Sequence, residues 1–187
     1  MNILFLNGSP RKNGNTATFV STIEKELESS GHNVENIFVD KKIINGCKGC
    51  YACKKKNDVF GCPQKDDVGS IFESMYAADA IIYAVPLYCW CFPAQMKLLI
   101  DRQISLVKDF ETPKHKSLIE DKKLGLIVTC EGPVEENADT IQIVFERFCE
   151  YLKVNYIGSY VLHSCTTPDK LPEDSSKLMK SVIKAIL

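Results

Sequence analysis

The sequence predicts an α/β fold in which five parallel strands form a doubly wound, three-layer sheet with the strand order 2-1-3-4-5. Apolar runs of strand length alternate with segments of helical periodicity along all 187 residues. The first, third and fourth runs are apolar almost throughout, as expected for strands that helices cover on both faces. Ligands bind such sheets beyond the carboxyl ends of the strands, so the loops after strands one, three and four are the candidate functional region.

The predicted elements follow one another as strand and helix, with one interruption. The strands are Asn2–Leu6, Asn33–Phe38, Ala80–Val85, Lys123–Thr129 and Val154–Val161. The helices, in which apolar residues recur at helical spacing, are Thr16–Ser29, Asp67–Tyr76, Pro93–Val107, Asn137–Leu152 and Pro172–Leu187. We expect Asp66 or Asp67 to cap the second helix, and Asp101 and Arg102 to form a structural ion pair. The interruption, Asp40–Lys65, is too long for a plain connection, which suggests a role of its own.

Composition restricts the class of protein. With 45% hydrophobic and 25% charged residues and a net charge of −1, the chain lacks the overall charge that attracts nucleic acid or acidic membranes. Its length predicts a single domain, residues 1–187, with a Cys-rich insertion at about residues 40–65. The sequence has neither an apolar run of about eighteen residues nor a secretory leader, so we expect a cytoplasmic location. In that reducing compartment the nine cysteines would be thiols, metal ligands or redox groups.

The loop between the first strand and the first helix is the most informative part of the sequence. Residues 6–18 are rich in Gly, Ser, Asn and Thr and carry Arg11 and Lys12. The loop opens the amino terminus of a helix, whose unpaired N–H groups and partial positive charge favour anions. We therefore predict phosphate binding, with a polar turn capped by Asn13 or Asn15 as the alternative. The triphosphate motif G-x-x-x-x-G-K-[ST] and the dinucleotide motif G-x-G-x-x-G are both missing here.

Several segments together resemble the NADPH-dependent FMN reductase family, which has a flavodoxin-like fold. The run Gly8–Thr16 is similar to the FMN phosphate loop of that family, and Ala84–Tyr88 is similar to its segment after strand three. Pro93–Lys97 and Ile100–Arg102 resemble the helix that follows. The resemblance extends from residue 1 to about residue 105. It implies that FMN binds at the edge of the sheet and that a reduced nicotinamide supplies electrons.

The resemblance also implies which residues contact the cofactor. The phosphate would be held by Ser9, Arg11, Asn13, Asn15 and Thr16. The ring system would lie beside Pro86, Leu87, Tyr88, Cys89 and Trp90, and Thr129, Cys130, Glu131 and Gly132 would close the site. On physical grounds alone, a flat amphipathic flavin needs aromatic or apolar walls, which Tyr88 and Trp90 could provide. Packing of these two rings against the protein or a partner subunit is the alternative.

A second chemical signal is the spacing Cys47-x-x-Cys50-x-x-Cys53, which is followed by Cys62. Two-residue spacers allow successive thiolates to converge, and the pattern resembles the iron–sulfur flavoprotein branch of the family. The neighbouring Lys48 and Lys54–Lys56 could favour thiolates and offset the charge of a cluster. Three interpretations remain open: a [4Fe–4S] cluster, free thiols in a metal-free version of the loop, and a zinc site.

These observations predict an FMN-dependent oxidoreductase that passes electrons from NADPH or NADH through FMN to an acceptor, with the chemistry supplied by the cofactor. The alternative is an iron–sulfur flavoprotein that carries electrons from ferredoxin to a partner. A third interpretation is a zinc-binding interaction module on an inert scaffold. The resemblance implies a homodimer or homotetramer, and we expect neither nucleic acid nor membrane as a partner.

Overall fold

A five-stranded parallel sheet forms the centre of the computed structural model, which describes residues 1–55, 60–167 and 170–187. The strands of this part of the chain are β1 (Asn2–Asn7), β2 (Asn33–Phe38), β3 (Ala80–Pro86), β4 (Val107–Lys108), β5 (Lys116–Ser117), β6 (Lys123–Thr129) and β7 (Asn155–Leu162). The central sheet has the order β2-β1-β3-β6-β7, with every pair parallel. The predicted doubly wound order is therefore confirmed. The short strands β4 and β5 pair antiparallel outside that sheet.

Helices cover both faces of the sheet. They are α1 (Asn15–Ser29), α2 (Val68–Ala77), α3 (Ala94–Arg102), α4 (Asp139–Leu152) and α5 (Ser175–Ile186). Successive side chains of a strand point to opposite faces, so Ile3 and Phe5 pack with α1 and α5, while Leu4 and Leu6 pack with α2, α3 and α4. The two cores make the three predicted layers. In the described residues, no helix combines the length and the apolar character that crossing a membrane requires.

The third helix is shorter than its periodicity predicts. It ends at Arg102, residues 103–106 form a 3₁₀ turn, and the chain then enters β4. Leu106 and Val107 are still buried, which is why their apolar character extended the predicted helix. The carbonyls of Ile104 and Val107 instead accept hydrogen bonds from the Lys54 ammonium, so this segment faces the Cys-rich insertion.

Candidate functional site

The loop from β1 to α1 presents a helix amino terminus that no side chain caps. The N-cap residue Gly14 is extended, makes no side-chain capping bond, and the first helical turn contains no acidic residue. Ser9, Asn15 and Thr16 are nevertheless buried, with 2–5% of their surface exposed. Buried polar side chains around free main-chain N–H groups are the donor set that an anion requires.

The hydroxyls of two residues in this loop, Thr16 and Ser9, show how the loop is held. The Thr16 Oγ1 lies 2.7 Å from the Thr129 Oγ1, which joins the start of α1 to the end of β6. The Ser9 Oγ accepts a hydrogen bond from the Arg11 amide at 3.2 Å and donates one to the Arg11 carbonyl at 3.1 Å. The loops that the sequence placed together, after the first and fourth strands of the central sheet, are thus in direct contact.

Sequence reasoning missed two residues that hold this loop, Asn7 at the end of β1 and Gln95 in α3. The Asn7 Oδ1 accepts the Ser9 amide at 3.0 Å, while the Asn7 Nδ2 is buried without a hydrogen-bond partner among the described residues. The Gln95 Nε2 donates to the Gly8 carbonyl at 2.7 Å and so ties α3 to the loop. Asn7 is a polar residue directly after the apolar run Ile3–Leu6, and that position was the available signal. A buried, unpartnered amide beside an uncapped helix is consistent with an absent anionic ligand.

The remaining predicted phosphate residues differ in their surroundings. Arg11 and Asn13 are exposed at the rim of the loop. Asn15 is buried, but its Nδ2 donates to the Lys170 carbonyl at 3.1 Å and therefore holds the segment that precedes α5. Their contacts with a phosphate remain predictions.

The loop after β3 makes a tight turn at the edge of the sheet. Pro86 is paired with Thr129 in the sheet register, and the Leu87 amide donates to the Thr129 carbonyl at 2.9 Å. The main chains of Tyr88 and Cys91 then exchange hydrogen bonds of 3.2 and 3.0 Å. Both residues between them have positive φ, as in a type I′ turn: Cys89 at 49° and Trp90 at 59°. Such turns normally contain Asn or Gly, so a strained backbone presents Trp90 with 62% of its surface exposed.

A cavity of about 330 Å³ lies where the loops after β3 and β6 meet. It is lined by Leu87, Cys89, Trp90, Cys130, Glu131, Gly132 and Asn137. The family resemblance named all of these except Asn137 as neighbours of the cofactor, and their contact with FMN stays a prediction. The Asn137 Nδ2 would lie 2.9 Å from a Cβ on Gly132. This cavity and the loop after β1 lie at the same edge of the sheet, and Thr129 contacts the loop after β1 through Thr16 and the loop after β3 through Leu87. The arrangement offers what FMN needs: main-chain and side-chain donors at one end for the phosphate, and at the other end Leu87 and Trp90 beside the polar Glu131 and Asn137 for the ring.

A larger, separate cavity of about 430 Å³ lies between the Cys-rich insertion and residues 101–110, with Tyr151 also lining it. Cys47, Cys50, Cys53 and Cys62 all line it. The first two are exposed, Cys62 is half-buried and Cys53 is 7% exposed; all four are free thiols. Across residues 1–55, 60–167 and 170–187, no three Cys, His, Asp or Glu side chains are arranged to hold a metal ion. The four thiols therefore share a cavity without forming a metal site, and Lys56, named with them above, lies outside the described residues.

A buried ion pair attaches this insertion to α3. Arg102 donates to both carboxylate oxygens of Asp66, at 2.7 and 3.2 Å, and to the Asn45 carbonyl at 2.8 Å. The two charged side chains are 1% and 0% exposed. Burial raises the pKa of Asp66, but hydrogen bonds from Arg102 and from main-chain amides outweigh it and hold that pKa below its ordinary value.

The predicted pairing of Arg102 with Asp101 is wrong. Asp101 is exposed and pairs with Lys97 one helical turn away, because neighbours in a helix point in different directions. The predicted cap of the second helix is found only in part. Asp67 occupies the N-cap position without a capping bond, while the Asp66 Oδ1 accepts the Val68 amide at 3.3 Å.

The contact between Thr16 and Thr129 gives a first test of this geometry. Replacing either residue alone by Val leaves the other buried hydroxyl without its partner, which we expect to lower the free energy of unfolding by about 1–3 kcal/mol. The double variant removes both polar groups and should lose less than the sum of the two single variants. Urea unfolding of the four proteins measures the coupling. Strictly additive losses would show that the hydroxyls do not interact.

Residues 1–166 match the model of a family described as NADPH-dependent FMN reductase. An iron–sulfur flavoprotein of Archaeoglobus fulgidus is 37% identical over 125 residues, which are 67% of this chain and 52% of that protein. The Bacillus subtilis protein YwqN, named as an NAD(P)H-dependent FMN-containing oxidoreductase, is 27% identical over 179 residues, 95% of this chain and 93% of its own.

One solved structure with the same fold is an FMN-dependent NADH-azoreductase from Bacillus anthracis in complex with FMN. Its TM-score is 0.66 at 12% identity, over 100% of this chain and 96% of its own. At that identity the likeness concerns the fold alone. The chain spans about half the length of the iron–sulfur flavoproteins it matches, 48–54% for three of them. Because the family match covers most of the sequence, the chain belongs to the NADPH-dependent FMN reductase family.

Proposed function

We propose that this protein is an FMN-dependent oxidoreductase that takes electrons from a reduced nicotinamide and passes them to an acceptor. The observation that carries the proposal is the continuous edge formed by the uncapped terminus of α1 and the cavity between the loops after β3 and β6. Membership of the family supports the same cofactor and the same electron donor.

The side chains have separable roles in this proposal. The N–H groups at the start of α1, with Ser9 and Thr16, would bind the phosphate and so fix the cofactor at one end. Leu87 and the turn that carries Trp90 would form the wall against which the ring packs. When bound, FMN would supply hydride acceptance and electron release, chemistry that no side chain provides. The exposed position of the Trp90 turn leaves that side of the cavity open to a nicotinamide.

The test is reduction of the flavin in the absence of oxygen. The purified chain is loaded with FMN, mixed with NADPH or NADH, and the absorbance of the oxidised flavin is followed. We expect rapid bleaching by at least one nicotinamide and recovery of the absorbance when a quinone is added. Failure to bind FMN, or indifference of the bound flavin to both nicotinamides, would contradict the proposal.

A second candidate function is supported by the cavity that all four insertion cysteines line. We propose that it takes a [4Fe–4S] cluster bound by Cys47, Cys50, Cys53 and Cys62, and that the protein then passes single electrons between ferredoxin and a partner. The thiols are of the right kind and number, and relatives carry the name iron–sulfur flavoprotein. Cys47 and Cys50 stand on an exposed segment without helix or strand, which would have to close over the cavity.

Anaerobic purification with metal analysis distinguishes the alternatives. About four iron atoms per chain, together with acid-labile sulfide, are expected for this cluster. Zinc without iron would favour the interaction module. Absence of both metals would identify the cysteines as free thiols and leave the FMN proposal unaffected. With iron present, flavin reduction by reduced ferredoxin but not by nicotinamides would favour the electron carrier.

A further inference from the structure

Glu131 places a negative charge in the wall of the cavity between the loops after β3 and β6. Among the described residues that line this cavity, Glu131 is the only carboxylate, and none of the others is Lys or Arg. Within residues 1–55, 60–167 and 170–187, its carboxylate takes part in no ion pair or hydrogen bond. In this part of the chain, no cation therefore pairs with the charge that Glu131 brings to the proposed site of the flavin ring.

The main chain holds Glu131 in this wall. The Ser164 amide donates to the Glu131 carbonyl at 3.0 Å, which joins the loop after β6 to the segment after β7. The rest of the turn is closed by the Asn137 Nδ2, which donates to the Pro133 carbonyl at 2.8 Å. Because both ends of the turn are tied, the carboxylate stands on a well-supported part of the loop.

We infer that Glu131 opposes the build-up of negative charge on the flavin and so keeps the reduction potential of bound FMN low. The inference rests on the proposed function, because it needs FMN in this cavity. Hydride transfer from a nicotinamide moves two electrons and one proton to the ring system, and so adds one negative charge to it. A nearby carboxylate repels the reduced form and leaves the uncharged oxidised ring almost unaffected.

The role of this charge follows from the sign of the effect. A lower potential makes the reduced flavin a stronger electron donor towards its acceptor. Glu131 is exposed, so water screens part of the repulsion and the effect is smaller than a buried charge would produce.

Glu131 and Glu135 provide a matched pair of variants. Glu135 is exposed on the same loop but does not line the cavity, so Glu135→Gln removes the same charge away from the ring. Glu131→Gln removes the charge and keeps the shape of the side chain. Glu131→Asp keeps the charge and shortens the side chain.

The test measures the reduction potential of the bound flavin. The full chain and each variant are loaded with FMN and equilibrated without oxygen with dithionite and a dye of known potential. We expect Glu131→Gln to raise the equilibrium constant for two-electron reduction about tenfold, a shift of about 30 mV to higher potential. Glu135→Gln and Glu131→Asp should match the unmodified chain.

Fluorescence titration with oxidised FMN separates an electrostatic role from a structural one. Since the oxidised ring is uncharged, Glu131→Gln should bind oxidised FMN as the unmodified chain does, and the change in potential should reflect tighter binding of the reduced form alone. Glu131→Ala is measured instead if Glu131→Gln does not bind FMN.

The outcomes separate the inference from the function on which it rests. If the variant without the Glu131 charge has an unchanged potential, or if Glu135→Gln shifts the potential equally, the inference is wrong, and bleaching of the flavin by a nicotinamide still supports the proposed function. A raised potential in Glu131→Gln, with a flavin that neither nicotinamide reduces, supports the inference and overturns the proposed electron donor. An unmodified chain that does not bind FMN overturns both.

Discussion

Replacing Gly14 by Asp is expected to weaken FMN binding about 100-fold or more while leaving the fold intact. Gly14 has φ of −83° and ψ of 168°, an extended conformation that aspartate adopts readily at an N-cap. The new carboxylate would accept hydrogen bonds from the free N–H groups of the first turn. These are the groups proposed to bind the phosphate. Loss of one or two charge-assisted hydrogen bonds, with repulsion between two anions, corresponds to at least about 3 kcal/mol.

The new side chain is tight against its neighbour. A Cβ on Gly14 would lie 3.2 Å from the Arg11 Cβ and 3.3 Å from its Nε, so the loop at Arg11 must shift by a few tenths of an ångström to admit it. Fluorescence titration with FMN measures the affinity, and urea unfolding without FMN measures stability. Stability should change little, because the gain of a few tenths of a kcal/mol from an Asp N-cap offsets the shift that the close contact with Arg11 requires.

The matched control for this variant is Gly14→Asn, which has the same shape and no charge. It competes for the same N–H groups without repelling the phosphate, so its FMN affinity should fall between those of the unmodified chain and Gly14→Asp. Equal affinity of all three proteins would show that the polar loop after β1 is a helix cap and nothing more. If Asn and Asp weaken FMN binding equally, the loss of affinity comes from steric competition at the loop. It does not then come from repulsion between the new carboxylate and a bound anion.

The central sheet and one half of the candidate site could be predicted because local patterns determine them. Uniformly apolar runs identify buried parallel strands, and the order of strands and helices leaves few topologies. That topology brings Thr16 next to Thr129 and the Trp90 turn next to Glu131, as expected for loops that follow neighbouring strands. Asn137 was missed because it reaches the cavity from the segment just before α4, which begins at Asp139, and no local pattern marks such a contact.

The insertion could not be predicted in the same way. Its contacts join residues far apart in sequence, such as Asp66 with Arg102 and Lys54 with Val107. Part of the signal was present, since Arg102 follows Leu99 by three positions and therefore continues the buried stripe of α3. A charged residue on a buried stripe requires a buried partner of opposite charge. The pattern showed this need, but only the tertiary structure identifies Asp66 as the partner.

Replacing Asp66 by Asn is expected to lower the free energy of unfolding by about 3–5 kcal/mol. Asn has nearly the same shape and can still accept a hydrogen bond, but it leaves the charge of Arg102 buried and uncompensated. The control is Asp101→Asn on the same helix as Arg102. Its ion pair with Lys97 is about half exposed on both sides, so its loss should cost less than about 1 kcal/mol. Urea unfolding at neutral pH compares the two variants.

The pH dependence tests whether charge accounts for the loss from Asp66→Asn. Because the folded-state pKa of Asp66 lies below the ordinary value of 3.8, the ionised carboxylate favours the fold above that pH. This contribution disappears as the pH falls from about 3.8 through the lower pKa of the folded protein. The gap between the unmodified chain and Asp66→Asn should therefore be full at neutral pH and shrink below about pH 4. A gap that stays constant in acid would mean that the carboxylate acts through its shape and hydrogen bonds, and that the charge of Arg102 is compensated by another group.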